Sequence, residues 1–199
     1  VAEAEGLRVE HGTSEAGGGQ AVPGLMGVIE SLIDAVGRLV LWLALLMIGL
    51  VAANVVLRYL FSFGSVWAQE LEWHLLAALI LLGMSYALQR GDNVRVDLFY
   101  ARYSPRMKFV VDVVSVLLML LVSLLFIKLS IPYVGQSFSI NETSPDPGGI
   151  PWRCAVKSLI PLGYALVVLQ SVGALLRLFH ERRKAISGAV NAAGEDGHV

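Results

Sequence analysis

Four stretches of the chain are apolar for long enough to cross a lipid bilayer, and the polar positions fall between them rather than through them. The first is Leu39–Leu57, "LVLWLALLMIGLVAANVVL". The second is centred on Leu75–Leu88 and reaches full length only with help from Trp67–His74. The third is Phe109–Ile127 and the fourth Ser158–Leu176. A helix needs about 20 mostly apolar residues to cross a hydrocarbon core of about 30 Å. Within the runs apolar residues do not alternate with polar ones, so strands of a membrane barrel are a poor fit. A helix also satisfies its own backbone in lipid. The pattern predicts an all-α integral membrane protein with four transmembrane helices.

Local signals mark several ends. Ser104-Pro105 reads as an N-cap followed by proline at the first helical position, opening the third helix. Pro151 is placed to open the fourth, and Pro161 inside it should kink it or loosen one turn. Ahead of the first run, "LMGVIESLIDAVGRLV" has apolar residues at helical spacing, with Glu30, Asp34 and Arg38 on another face. It extends the first helix back to near Leu25 as an amphipathic segment that lies along the interface before turning in. The stretch "VDLFYARY" suits a short amphipathic helix in the headgroup layer. Residues 1–24 and 185–199 are polar and glycine-rich and read as disordered tails flanking a membrane domain at 25–184. The first tail lacks the basic and apolar regions of a secretory signal.

Charge then orients the bundle. With four spans, both termini and the connection between the second and third spans share one side. Eleven of the 15 basic residues lie there, leaving Arg58, Lys128, Arg153 and Lys157 opposite. The positive-inside rule places both termini in the cytoplasm.

Composition agrees with membrane residence: 56% hydrophobic, 16% charged, mean hydropathy +0.67. A soluble domain carries about 25% charged residues. The net charge of -1 gives no global attraction to nucleic acid. The single cysteine, Cys154, cannot make an intrachain disulfide or a thiolate cluster.

Candidate chemistry is sparse. Glu70 and His74 share a helix face at the mouth of the second span, either as an ion or proton relay or as an interfacial turn. A buried Glu70 would want a cation, and Arg58 lies across a short loop. Asp112 suits a helix N-terminus or a pair with Lys108; Asn54 and Gln170 suit hydrogen bonds between helices. Gly49, Gly83, Gly163 and Gly173 would allow helices to approach closely. The connection "SINETSPDPGGIPWR", Ser139–Arg153, is dense in turn formers, which suits either a plain linker or a shaped extracytoplasmic docking surface. No phosphate loop, metal-ligand spacing or nucleophile motif is present, and His74 is the only histidine within the four runs. No cofactor, metal or catalytic residue is therefore expected.

These residues also carry a resemblance. Arg58, Trp67, Glu70, Gly83 and "QRGDNVRVDLFY" resemble the small membrane subunit of TRAP transporters, the DctQ-like small permease. The later "ETSPDPGGIPWRCAVKSLIPLGYALVVLQ" resembles a branch linked to 2-oxo acids, lactate and similar organic anions. The likeness covers roughly residues 25 to 180, with Asn93 standing where many members carry histidine. It implies a bacterial inner-membrane protein, not an enzyme. A periplasmic solute-binding protein captures an organic acid, and a large DctM-like permease subunit moves it on a sodium gradient. The small subunit braces the large one and helps dock the binding protein. On this reading Arg58, Trp67, Glu70, Arg90, Asn93, Arg95 and Asp97 contact the large subunit or lipid headgroups. Rival readings are a four-helix anchor for a haem or quinone enzyme and a self-sufficient small transporter.

Overall fold

The computed structural model describes residues 24–91 and 103–195, with side chains through Lys184. Four helices carry this part of the chain: α1 (Leu25–Phe61), α2 (Val66–Arg90), α3 (Pro105–Ser139) and α4 (Arg153–Glu195). No strand occurs among the described residues. All four helices are long and apolar enough to cross a membrane. The fold is an all-α membrane bundle, as the hydrophobic pattern predicts.

The helix ends follow from local chemistry. The Ser65 side chain accepts the Ala68 N–H at 3.4 Å to open α2. Gly91 closes α2 at φ 74°, a conformation glycine adopts without a Cβ penalty, and donates its N–H to Ala87 and Leu88. Ser104 accepts from the Met107 N–H at 3.4 Å with proline following, as expected for α3. Pro151 does not open α4. The helix starts at Arg153, after Trp152, whose φ of 74° puts a bulky aromatic in the left-handed region. Pro132 and Pro161 lie inside α3 and α4, which run through them as single helices.

The helices are longer than their apolar runs, and α4, at 43 residues, is the longest. At 37 residues α1 is about 55 Å long. The stretch expected to lie along the interface, Leu25–Val40, is the first part of this helix. There Ile29, Ile33 and Gly37 are buried, which holds Leu25–Phe61 as one element reaching past the hydrocarbon. Likewise α3 continues beyond Ile127 to Ser139.

The order of packing is α1 on α2, α2 on α4, and α4 on α3, with α4 also touching α1. Small residues set the closest approaches. A Cβ at Gly163 would stand 2.6 Å from the Leu81 carbonyl oxygen, so α4 crosses α2 nearly backbone to backbone. Gly173 meets Ile29 of α1, and Gly37 admits the Tyr86 ring. On α3 the buried positions are Ser123, Ser130 and Ser137, one every seventh residue. That spacing is a single stripe, filled with small side chains. Val167 and Ser171 are buried on α4. Between α3 and α4, Phe126 stacks on Tyr164 at 4.6 Å, and Phe109 meets Phe179 edge-on at 5.9 Å. Large apolar side chains elsewhere on α1 and α3, including Trp42, Leu45 and Leu121, face outward as a lipid-facing surface should.

Candidate docking face at the loop end

The bundle has a loop end, with the 62–65 and 140–152 connections, and a tail end, where α1 begins and α2 stops. The most elaborate polar construction is at the loop end and is centred on Glu70. This residue is one turn into α2, on the side facing α4, and its side chain is 12% exposed. One carboxylate oxygen accepts the Ser144 hydroxyl and lies 3.7 Å from the Arg153 guanidinium. The other accepts the Ile150 backbone N–H at 2.5 Å. A single side chain on α2 thereby fixes both the middle and the end of the 140–152 connection.

The loop is tied to itself as well. The Asp146 N–H donates to Ser144 Oγ at 3.1 Å, and the Gly149 N–H to the Asp146 carbonyl at 3.0 Å. Gly149 has to be small: a Cβ there would lie 2.7 Å from Glu70 Oε2. Glu142 closes the neck. Its carboxylate pairs with the Lys157 ammonium and its carbonyl accepts the Arg153 N–H at 3.2 Å. The Lys157 ammonium sits 4.2 Å from the centre of the Tyr133 ring. That ammonium holds the Glu142 carboxyl below the usual carboxylate range.

Sequence reasoning named Glu70 but not its partners. The cation is Arg153 rather than Arg58, because the Glu70 face of α2 is turned to α4 and not to α1. Arg58 is exposed on the last turn of α1, its guanidinium 5.5 Å from the neighbouring Tyr59 ring. Trp67 is half exposed, and Trp73 (78%) and Trp152 (75%) stand further out, forming an aromatic girdle at this end. His74 places Nδ1 2.6 Å from the Glu70 carbonyl, so the proton on that nitrogen is donated there, and Nε2 is buried without a partner among the described residues. Opposite charges at Glu142 and Lys157, flanking a Pro/Gly-rich segment, were the available signal for a closed neck.

Elsewhere Asn54 acts between helices as expected, donating to Glu72 Oε1 at 2.9 Å. Of the named glycines, Gly163 and Gly173 sit at close approaches and Gly83 makes ordinary contact with Val40, while Gly49 faces open space. Arg90 sits at the tail end, 3.6 Å from Asp34 of α1 and over the Tyr86 ring. Asn93, Arg95 and Asp97, with most of "VDLFYARY", lie outside the described residues. Among the described residues no group of three or more His, Cys, Asp or Glu could hold a metal ion.

The geometry is that of a loop braced from beneath by Glu70, with exposed tryptophans nearby, on four apolar helices. Comparison with curated proteins gave no significant match. The sequence profile of the DctQ component of tripartite ATP-independent periplasmic transporters matches residues 47–181, most of the chain and all of the loop-end construction. This chain therefore belongs to the DctQ family, as the small membrane subunit of a TRAP transporter.

Proposed function

We propose that this subunit serves a transporter for organic acid anions in a bacterial inner membrane, with both termini cytoplasmic. It braces the large DctM-like permease subunit and offers the 140–152 loop to the periplasmic solute-binding protein. The observation that carries the docking part is the Glu70 latch: one carboxylate spends both oxygens on holding a loop in shape. A linker has no need of such pre-organisation, whereas a recognition surface gains affinity from it. The bracing part is supported by the outward apolar faces of α1 and α3, which are extensive enough for a helical partner as well as for lipid. Arg58 and Trp67 lie at the edge of that surface. Orientation is supported by the excess of basic residues at the tail end.

The test is co-purification and uptake with all three components present. Arg58→Glu leaves the latch intact, because Arg58 is not part of it. It is expected to weaken recovery of the large subunit by about tenfold, one interfacial charge contact. Unchanged assembly and uptake would remove Arg58 from the interface.

A further inference from the structure

The two halves of α1 are packed differently. In the tail-end half Ile29 lies against Gly173 of α4 and Gly37 against Tyr86 of α2. In the loop-end half every residue from Val51 to Phe61 is exposed except Asn54. Among the described residues one polar contact ties this half to α2, the Asn54 amide donating to Glu72 Oε1 at 2.9 Å. On the tail side of that contact an open groove of about 380 Å³ lies between α1 and α2, lined by Leu46, Gly49, Leu50 and Leu71. A Cβ added at Gly49 would meet nothing within 4 Å. Building on the bracing reading, and resting on it, we propose that this groove and the free half of α1 seat a transmembrane helix of the large permease subunit, which brings a lysine or arginine to Glu72.

Lipid covers Val51, Val55 and Leu57 without cost, but it does not serve Glu72. A carboxylate accepts up to about four hydrogen bonds, and Asn54 supplies one, from a neutral amide. A charge in a membrane helix calls for a partner of opposite sign. Among the described residues no lysine or arginine pairs with Glu72: Arg153 is engaged by Glu70, and Arg58 lies over the Tyr59 ring. The cation therefore comes from outside this chain. With α2 centred in a hydrocarbon core of about 30 Å, Glu72 lies about 5 Å inside its edge, below the layer that holds lipid amines. The groove continues from Asn54 to Leu46, about 12 Å deeper, which an apolar helix reaches and a soluble protein does not. A second copy of this chain fits worse, because a two-fold contact sets the patch against itself and brings one Glu72 towards another. A helix of another membrane subunit, bulky and apolar opposite Gly49 and basic opposite Glu72, satisfies both parts of the surface.

The experiment uses the full transporter, purified through a tag on the large subunit. The photo-reactive residue benzoylphenylalanine replaces Leu46, Val55 or, on the outward face of α3, Leu121, one at a time. Irradiation should join this chain to the large subunit from Leu46 and Val55, about tenfold more than from Leu121. The captured peptide should come from an apolar helix that contains lysine or arginine. Glu72→Gln keeps the shape and the Asn54 bond but loses the charge. Gly49→Phe fills the groove without meeting this chain. Each should lower recovery of the small subunit with the large one about tenfold, with unfolding midpoints of the separately expressed variants unchanged. Cross-links from Leu121 alone, cross-links from Leu46 to a second copy of this chain, or undiminished recovery of folded Glu72→Gln and Gly49→Phe would each overturn the seat while leaving the large subunit bound. A wild-type chain that fails to retain the large subunit at all would instead remove the bracing reading, and the seat with it.

Discussion

The two ends of the bundle handle charge differently. At the loop end Glu70 is largely buried and has three partners: two hydrogen-bond donors on the 140–152 connection, and Arg153 at the start of α4. At the tail end the ion pairs are simple and open. Arg90–Asp34 spans 3.6 Å with both side chains well exposed, and Arg177–Glu30 is half exposed beside a cavity. A multiply bonded, shielded carboxylate fixes a shape. Exposed pairs exchange partners with water and salt at little cost. The loop end is built to hold one geometry, whereas the ion pairs of the tail end are free to exchange.

That contrast can be broken from the middle outward. Gly163→Leu should have the largest effect, because its side chain would run into the Leu81 carbonyl and pry α4 from α2. A loss of about 3 kcal/mol is expected, read as a lower unfolding midpoint in detergent, and both ends should loosen together. Glu70→Gln comes next and separates them. It keeps the shape but removes the charge facing Arg153 and leaves a donor among donors. Protease cleavage within 140–152 should rise about tenfold, while cleavage at the tail end stays unchanged.

Acid acts on the neck of the loop. Glu142 titrates below an ordinary carboxylate because of Lys157, so the folded state holds its proton less tightly than the unfolded chain. Its contribution is complete above the ordinary carboxylate range and fades as pH falls through the lowered value. Loop cleavage should therefore increase towards low pH in the wild type. It should be high and flatter with pH in Glu142→Gln. The smallest effect is expected from Arg90→Ala, which removes an exposed pair: within about 1 kcal/mol, and less in high salt. A larger loss would mean that the tail end is as rigidly built as the loop end.

The sequence was legible where structure depends on near neighbours. Apolar runs placed all four helices, and Ser104-Pro105 placed a helix start to the residue. Reading failed where distance in sequence mattered. Glu70 was visible as a carboxylate in need of a cation, but the choice of Arg153, 83 positions on, depends on which helix its face meets. Gly37 carries no local mark of its role, since only the fold brings Tyr86 against it. The extra length of α3 was hidden by Lys128 and Pro132, which end an apolar run without ending a helix. The serine stripe looks like scattered polarity until the seven-residue spacing is set against α4.

Because α4 is the helix that touches each of the other three, and because it follows them in chain order, the bundle cannot close during most of its synthesis. The first three spans enter the bilayer with Glu70 and Gly37 in place but without Arg153 or Gly163 to receive α2. Assembly competence is thus withheld until the last span leaves the translocon. A chain interrupted before that moment leaves the seams of α1, α2 and α3 that α4 covers unclosed.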